Sequence, residues 1–282
     1  MTQPTASLAS KTVLISGGSR GIGHAIAVKL AAAGANIVLL AKTDQPHPTL
    51  PGTVHTAVAD VEAAGGQGLA IVGDIRNDED ITRAVDSAVE RFGGIDAVVN
   101  NASAIDLRPA EHQDMKRYDL MQDINARGSF ALSRAAIPHL RASAQQSGWD
   151  PKILTLSPPI NLDPKWFAQN LGYTMSKYAM SMTTIGLAAE LASAGVKVNS
   201  LWPVTLIATE AVRNIPGGKD LVPGARRPQI VAEAAYALIT GEADLDSGTF
   251  LTDEQVLRET GITDFSDYAV DPSAELLPDF FL

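Results

Sequence analysis

The chain has 282 residues, 45% apolar and 19% charged, the composition of a folded globular protein and not of a disordered one. Its net charge of −10, with no basic cluster beyond Arg226-Arg227, argues against nucleic acid or an anionic membrane surface as partner. Cysteine is absent, which removes disulfide scaffolding and thiolate chemistry; Met1 to Ser10 carry no signal pattern and no apolar run reaches the ~20 residues that span a bilayer, so a soluble, intracellular, cytoplasmic protein is expected.

Strand-like runs alternate with amphipathic segments, which predicts a parallel sheet covered by helices. Residues 12–16 read as the first strand and 22–33 as a helix closed by Gly34. Strands follow at 36–41 and 67–72, with a helix at 53–64 between them and another at 78–92. A buried strand at 95–99 precedes a long helical stretch over 111–142, bent at Pro138. The remaining strands are expected at 152–156, 196–202 and 249–251, and helices at 168–194 and 230–240. There is neither a long linker nor an internal repeat. We therefore expect a flexible N-terminus over 1–10 and one domain over 11–282, with a flap near 204–228 and a tail from about 252.

The stretch Ser16-Gly17-Gly18-Ser19-Arg20-Gly21-Ile22-Gly23 joins the first strand to the first helix. That setting lets backbone N–H groups and a helix N-terminus hold a pyrophosphate. The spacing is G-x-x-x-G-x-G, so the generic dinucleotide fingerprint is not matched literally. The end of the second strand reports on which dinucleotide. An acid there would bind the ribose 2′-hydroxyl of NAD, and a base would accommodate the 2′-phosphate of NADP. Here the strand ends Leu40-Ala41-Lys42-Thr43, and Arg20 offers a second cation nearby. NADP is expected ahead of NAD, with Asp44 as the residue that speaks for the opposite.

Tyr173 and Lys177 stand four residues apart on a predicted helix, a spacing that shares one face. A free Tyr titrates near pH ~10 and is a poor acid or base at neutral pH. A neighbouring ammonium favours the phenolate and lowers that pKa, which suits proton transfer at an alcohol oxygen. Trp166, Phe167, Met180, Trp202 and Leu206 fall near this site in the predicted fold, as the lining of an apolar pocket or as ordinary core and flap anchors. His47 and His55 form no ligand cluster with nearby acids and read as surface residues, so no metal site is expected.

Taken in order, Ser16 to Gly23, Asn100-Asn101-Ala102, Asn125, Ser157, Tyr173 and Lys177 resemble the motifs of the short-chain dehydrogenases/reductases, over about residues 11–251. The resemblance implies a Rossmann-type α/β fold, a doubly wound parallel sheet of about seven strands with helices on both faces, in a single domain. It implies Tyr173 as proton donor in reduction and acceptor in oxidation, with Lys177 tuning it and binding the nicotinamide ribose. Ser157 would orient the substrate oxygen, and Asn125 would hold a water that links Lys177 to solvent. For the cofactor it implies Gly17, Ser19, Arg20, Gly21, Ile22 and Gly23 at the phosphates and Lys42 at the 2′-position. Asp74 and Ile75 would flank the adenine, and Asn101, Ala102 and Ser103 would lie beneath the ribose. Pro203, Ile207 and Thr209 would sit at the carboxamide.

The chain also departs from the family pattern. Ser157 lies 16 residues before Tyr173, a longer interval than the commonest one, with Pro158-Pro159 inside it. Ser103 replaces a usual Gly, Val204 replaces another, and Thr209 falls one position late.

A closer match, in Ala41 to Thr43, Asn100 to Ile105, Ser157 to Leu162 and the ending Pro278 to Leu282, is to a branch of the family whose reductase domain precedes a sterol-carrier domain. It implies a free-standing relative acting on a hydrophobic alcohol, ketone or aldehyde, with a fatty-acyl, terpenoid or steroid body. The family habit of pairing the helices that carry Asn125 and Tyr173 implies a homodimer or homotetramer. Two alternatives stay open: a reductase of the C=C bond in an enoyl or dienoyl thioester, and a non-enzymatic NADP-dependent sensor or scaffold.

Overall fold

Runs of apolar residues that alternate with polar turns build a seven-stranded sheet, all of whose strands pair in parallel in the order β3-β2-β1-β4-β5-β6-β7. The computed structural model describes residues 7–46, 51–146 and 149–282; His47 and the first six residues lie outside the described residues. In chain order the elements are β1 (Thr12–Ser16), α1 (Gly21–Ala32), β2 (Asn36–Ala41), α2 (Val54–Ala63), β3 (Gln67–Val72), α3 (Asp78–Phe92) and β4 (Ala97–Asn100). The second half has α4 (Met115–Met121), α5 (Ser129–Gln146), β5 (Lys152–Thr155), α6 (Leu171–Leu191), β6 (Lys197–Trp202), α7 (Glu210–Arg213), α8 (Gly218–Leu221), α9 (Gln229–Thr240), β7 (Phe250–Thr252) and α10 (Asp253–Glu259).

Strands β1, β2, β4 and β5 are buried along their whole length, as a parallel sheet covered on both faces requires. One face packs Ile15, Leu39 and Val99 against Ile26 and Leu30 of α1 and Ile230 and Val231 of α9. The other packs Leu14, Val38 and Val98 against Ile81 of α3, Leu132 of α5 and Leu187 of α6. Helix α3 shows how local signals set the boundaries. The Asn77 side chain caps it by accepting from the N–H groups of Glu79 and Asp80, and Gly93 ends it in the left-handed conformation with φ 86°.

Strand register lines up the carboxyl ends. Ser16 pairs with Asn100, Asn100 with Thr155 and Thr155 with Ser200, so one row of polar residues crosses the sheet. Strand order reverses between β1 and β4, and ligands of open α/β sheets bind outside the carboxyl ends at such a switch point.

Two predicted elements come out differently. The stretch expected as one helix over 111–142 is broken between α4 and α5 by a π-helical turn, Gln122–Gly128, while Pro138 lies within α5. The helix carrying Tyr173 begins at Leu171, after a 3₁₀ turn at Pro164–Trp166. The flap region holds the short helices α7 and α8. An isolated bridge joins Ile207 to Arg226 within it, and two more, Arg226 with Ala269 and Thr205 with Pro278, tie it to the segments after α10.

Candidate active site

The glycine loop turns because two of its residues can do what others cannot. Gly17 has φ 72° and Gly21 φ 61°, left-handed values that cost a side-chain-bearing residue about 1–2 kcal/mol. Space is also short: a Cβ on Gly17 would stand 2.8 Å from Ala102 Cα, and one on Gly23 would stand 2.4 Å from Asn101 Nδ2. Asn101 earns its place by donating from Nδ2 to the carbonyls of Ser16 (3.0 Å) and Gly17 (2.9 Å). The Ser16 hydroxyl in turn accepts from the N–H groups of Asn101 and Ala102. Loop and β4 end are thereby one unit. Helix α1 starts at Gly21 with no side-chain cap from Arg20, so its first-turn N–H groups are free to meet an anion. Thr209 lies against this loop, with Cγ2 3.4 Å from the position of a Gly21 Cβ.

At the end of β2, Arg20 donates to Thr43 Oγ1 (3.1 Å) and to the carbonyls of Pro51 (3.0 Å) and Gly52 (3.0 Å). Lys42 reaches Asp74 at 3.5 Å. Asp44 turns away to His55 at 2.7 Å and accepts from Gln45. The hydrogen bond from Arg76 holds the Asp74 carboxyl down to about 2, with Lys42 adding to the effect. Ile75 is buried and packs on Gly128. Ser19 and Pro203 are buried, Ile22 and Ala102 are half-buried, and Ser103 is exposed. Ile207 is buried and bridges to Arg226.

The chemistry gathers on α6. Tyr173 and Lys177 are buried on the face toward β5 and β6. Lys177 Nζ donates to the Leu156 carbonyl (2.6 Å) and to Met180 Sδ (3.4 Å), and lies 4.9 Å above the Trp202 ring. Among the described residues the Tyr173 hydroxyl has no hydrogen-bond partner, although the residue as a whole is only 6% exposed. Ser157 follows β5 and is fully buried; its hydroxyl meets Ser200 Oγ at 2.8 Å, and Ser200 donates to Thr184 at 2.9 Å. The Pro158 carbonyl accepts from Ser181 of α6 at 2.6 Å. The Pro158-Pro159 stretch is thus pinned to the helix that carries Tyr173, one turn beyond Lys177.

Asn125 is a clamp. It sits in the π-helical turn, its Nδ2 donating to the Ala104 carbonyl and to Ser176 Oγ, both at 2.9 Å, while its Oδ1 accepts from Ala104 N–H at 2.7 Å. With the side chain committed, a water bound at this turn would use a backbone carbonyl, which a π-turn leaves without its usual helical partner.

The sequence predicts a lowered Tyr173 pKa; the structure gives the opposite direction. Burial raises it, and the nearby Asp279 carboxylate adds to the rise. Burial also pulls Lys177 down to about 7 and pushes Asp279 up to about 7. In this arrangement the ammonium is itself desolvated and gives Tyr173 little help.

The aromatic residues expected near the site do converge there. Trp166, Phe167 and Trp202 join Tyr173, Tyr178 and Met121 in one cluster. Its centre is Phe281, which sequence reading did not single out. The segment Pro278–Phe281 folds over Tyr173 and brings Asp279 with it, a contact between distant parts of the chain that no local periodicity announces. Ser176 and Ser200, the partners of Asn125 and Ser157, were also missed. Among the described residues no group of three or more His, Asp or Glu is placed to hold a metal, and no helix is long and apolar enough to cross a membrane.

Known proteins agree with this architecture. The profile described as short chain dehydrogenase matches residues 11–219. A Danio rerio protein named hydroxysteroid dehydrogenase-like protein 2 is 49% identical over 282 residues, 100% of this chain and 66% of its own length. The Homo sapiens protein of that name is 46% identical over 99% of this chain and 65% of its own. The chain thus spans about two thirds of the length of these curated relatives. A solved short chain dehydrogenase from Mycobacterium thermoresistibile superposes with a TM-score of 0.89 at 48% identity, covering 98% of this chain and 96% of that one. A 7α-hydroxysteroid dehydrogenase solved with NADH and 7-oxo glycochenodeoxycholic acid gives a TM-score of 0.73 at 26% identity, over 88% and 94% of the two chains. With a family match over most of its length and relatives near half identity, this chain belongs to the short-chain dehydrogenase/reductase family.

Proposed function

We propose that this chain is an NADP-preferring dehydrogenase/reductase that interconverts a hydrophobic alcohol with its ketone or aldehyde, Tyr173 carrying the proton. The observation that carries the reading is the Tyr173 hydroxyl, unpartnered among the described residues and one helical turn from Lys177. The residues fit a dinucleotide: Gly17 and Gly23 of the cradle have no room for a Cβ, and the α1 N-terminus is uncapped. Gly17 to Gly23 would hold the pyrophosphate, Asp74 and Ile75 the adenine side, Asn101 to Ser103 the ribose floor, and Pro203, Ile207 and Thr209 the carboxamide. When bound, the nicotinamide supplies or takes the hydride. The chain's own task is to orient and to move a proton. In reduction Tyr173 gives its phenolic proton to the carbonyl oxygen, which Ser157 also contacts once its hydroxyl turns from Ser200. Lys177, fixed by the Leu156 carbonyl, would hold the nicotinamide ribose and, in its protonated form, steady the phenolate left behind.

Preference for NADP rests on Arg20 and Lys42 around Thr43, and on Asp44 being engaged with His55. The solved relative with a bound 7-oxo steroid carries NADH, so the preference is a property of these residues of this chain. The substrate class rests on the aromatic lining of Trp166, Tyr178 and Trp202. The test is NADPH oxidation with decanal, a terpenoid ketone and a 3-ketosteroid, alongside an enoyl thioester. Turnover of a carbonyl supports the proposal; turnover of the thioester alone replaces it with a C=C reductase.

Assembly follows from an apolar face. Met175, Met182 and Ile185 of α6 are 45%, 60% and 47% exposed, and Phe130 of α5 is 50% exposed. The three α6 residues share one side of the helix, opposite the buried Tyr173 and Lys177. We propose that a second copy of this chain covers them, giving a homodimer or homotetramer. Met182→Asp combined with Ile185→Asp should reduce the sedimentation mass to that of the 29.7 kDa monomer. An unchanged assembly would contradict the assignment.

A further inference from the structure

Phe281 is the largest of the fully buried side chains, and no catalytic role explains it. It is 1% exposed, and its ring lies 5.3 Å from that of Tyr178, 5.6 Å from Trp166, 6.0 Å from Trp202 and 6.3 Å from Tyr173. Its backbone has φ 74°, a value uncommon for a residue with a bulky side chain. Burial of the ring holds the backbone there. Meanwhile Ser157 and Lys177 are 0% and 2% exposed and Tyr173 only 6%, so the opening at Tyr173 is narrow and a bulky apolar substrate needs part of the cover to move.

The tethers of the segment show which part. Residues up to Asp279 are held by backbone hydrogen bonds: Leu206 N–H to the Leu277 carbonyl (3.0 Å), Leu277 N–H to Gly224 (2.8 Å) and Asp279 N–H to Val204 (3.0 Å). Beyond Asp279 no backbone N–H or C=O bonds to the backbone of another element among the described residues. The Phe280 carbonyl accepts from Trp202 Nε1 at 2.9 Å, and the Phe281 carbonyl accepts from Asn161 Nδ2 at 3.5 Å, the limit of such a bond. The natural hinge is therefore at Asp279-Phe280, and what keeps Phe281 in place is apolar burial, which an incoming apolar group can replace.

We propose that Phe281 is an internal occupant of the substrate's apolar subsite: its phenyl stands between Trp166, Tyr178 and Trp202 where the alkyl or ring body of the substrate binds, and it swings out about Asp279-Phe280 when that body enters. The inference rests on the reductase reading for its ligand class and deepens it. It makes Phe281 a specificity-determining residue, because a small polar carbonyl cannot refill the aromatic cage and leaves the plug in place. An alkyl or polycyclic carbonyl can.

Binding tests this without turnover. Decan-1-ol is titrated calorimetrically into wild type, Phe281→Leu and Phe281→Ala, each saturated with NADP⁺. Removing the competing phenyl should tighten decanol binding about tenfold in Phe281→Ala, with Phe281→Leu between, and leave NADP⁺ affinity unchanged. Weaker or equal decanol binding by a folded Phe281→Ala would show a fixed wall and overturn the proposal, as would no binding by any of the three. Should Phe281→Ala fail to fold, hydrogen exchange on the wild type decides. The peptide over 277–282 should lose protection when decanol is added to the NADP⁺ complex, and unchanged or increased protection overturns the plug. Failure of the reductase reading shows separately, as carbonyl turnover that is absent or insensitive to Tyr173→Phe.

Discussion

Tyr173→Phe should lower kcat for the carbonyl substrate by about 10²–10⁴-fold, the usual contribution of a positioned acid–base group, with little change in NADPH affinity or melting temperature. The structure separates these effects. The Tyr173 ring packs against Phe281 at 6.3 Å within the aromatic cluster, and phenylalanine keeps that contact. The hydroxyl makes no hydrogen bond among the described residues, so its removal leaves no buried partner unsatisfied. Paired NADPH-oxidation and calorimetric measurements check both halves. A mutant that loses cofactor affinity and stability along with activity would mark Tyr173 as a structural residue.

Arg20→Ala with Lys42→Ala should weaken NADPH binding by about a hundredfold, two charge-assisted phosphate contacts discounted for solvent screening, while NADH binding changes much less. Arg20 has a second job, holding the carbonyls of Pro51 and Gly52, so Arg20→Ala alone also loosens the connection into α2. Lys42→Ala is the cleaner variant, since among the described residues Lys42 pairs with Asp74 alone and Asp74 retains Arg76. Fluorescence titrations with the two cofactors read the difference. Equal losses for NADPH and NADH would remove the 2′-phosphate assignment.

The legible parts of this protein were those set by local chemistry. Thr12–Ser16, Asn36–Ala41 and Gln67–Val72 are short apolar runs between glycines and polar turns, and all three strands fall on the predicted residues. The helix over Asp78–Phe92 carries its own stop signal in Gly93. The glycine loop, Tyr173 and Lys177 were likewise visible, because their spacing on one turn or one helix face is itself the signal. What was not legible depends on contacts between distant residues. The break in the helix before α5 coincides with Asn125, whose bonds to Ala104 and Ser176 link segments that sequence distance keeps apart. The cover over Tyr173 comes from Phe281, more than a hundred positions away in the sequence, and it reverses the expected direction of the Tyr173 pKa. Local propensity carries no trace of either, since both arise only once the sheet has brought the carboxyl ends of β4, β5 and β6 together.

The most direct measurement is transfer of label from NADPH carrying deuterium at the reactive carbon of the nicotinamide, with decanal and a 3-ketosteroid as acceptors and product analysis by mass spectrometry and NMR. The proposed function predicts one deuterium on the former carbonyl carbon of the alcohol formed, and none with Tyr173→Phe over the same interval. Deuterium on a carbon of a conjugated C=C bond, or NADPH bound but no label transferred to any acceptor, would contradict it.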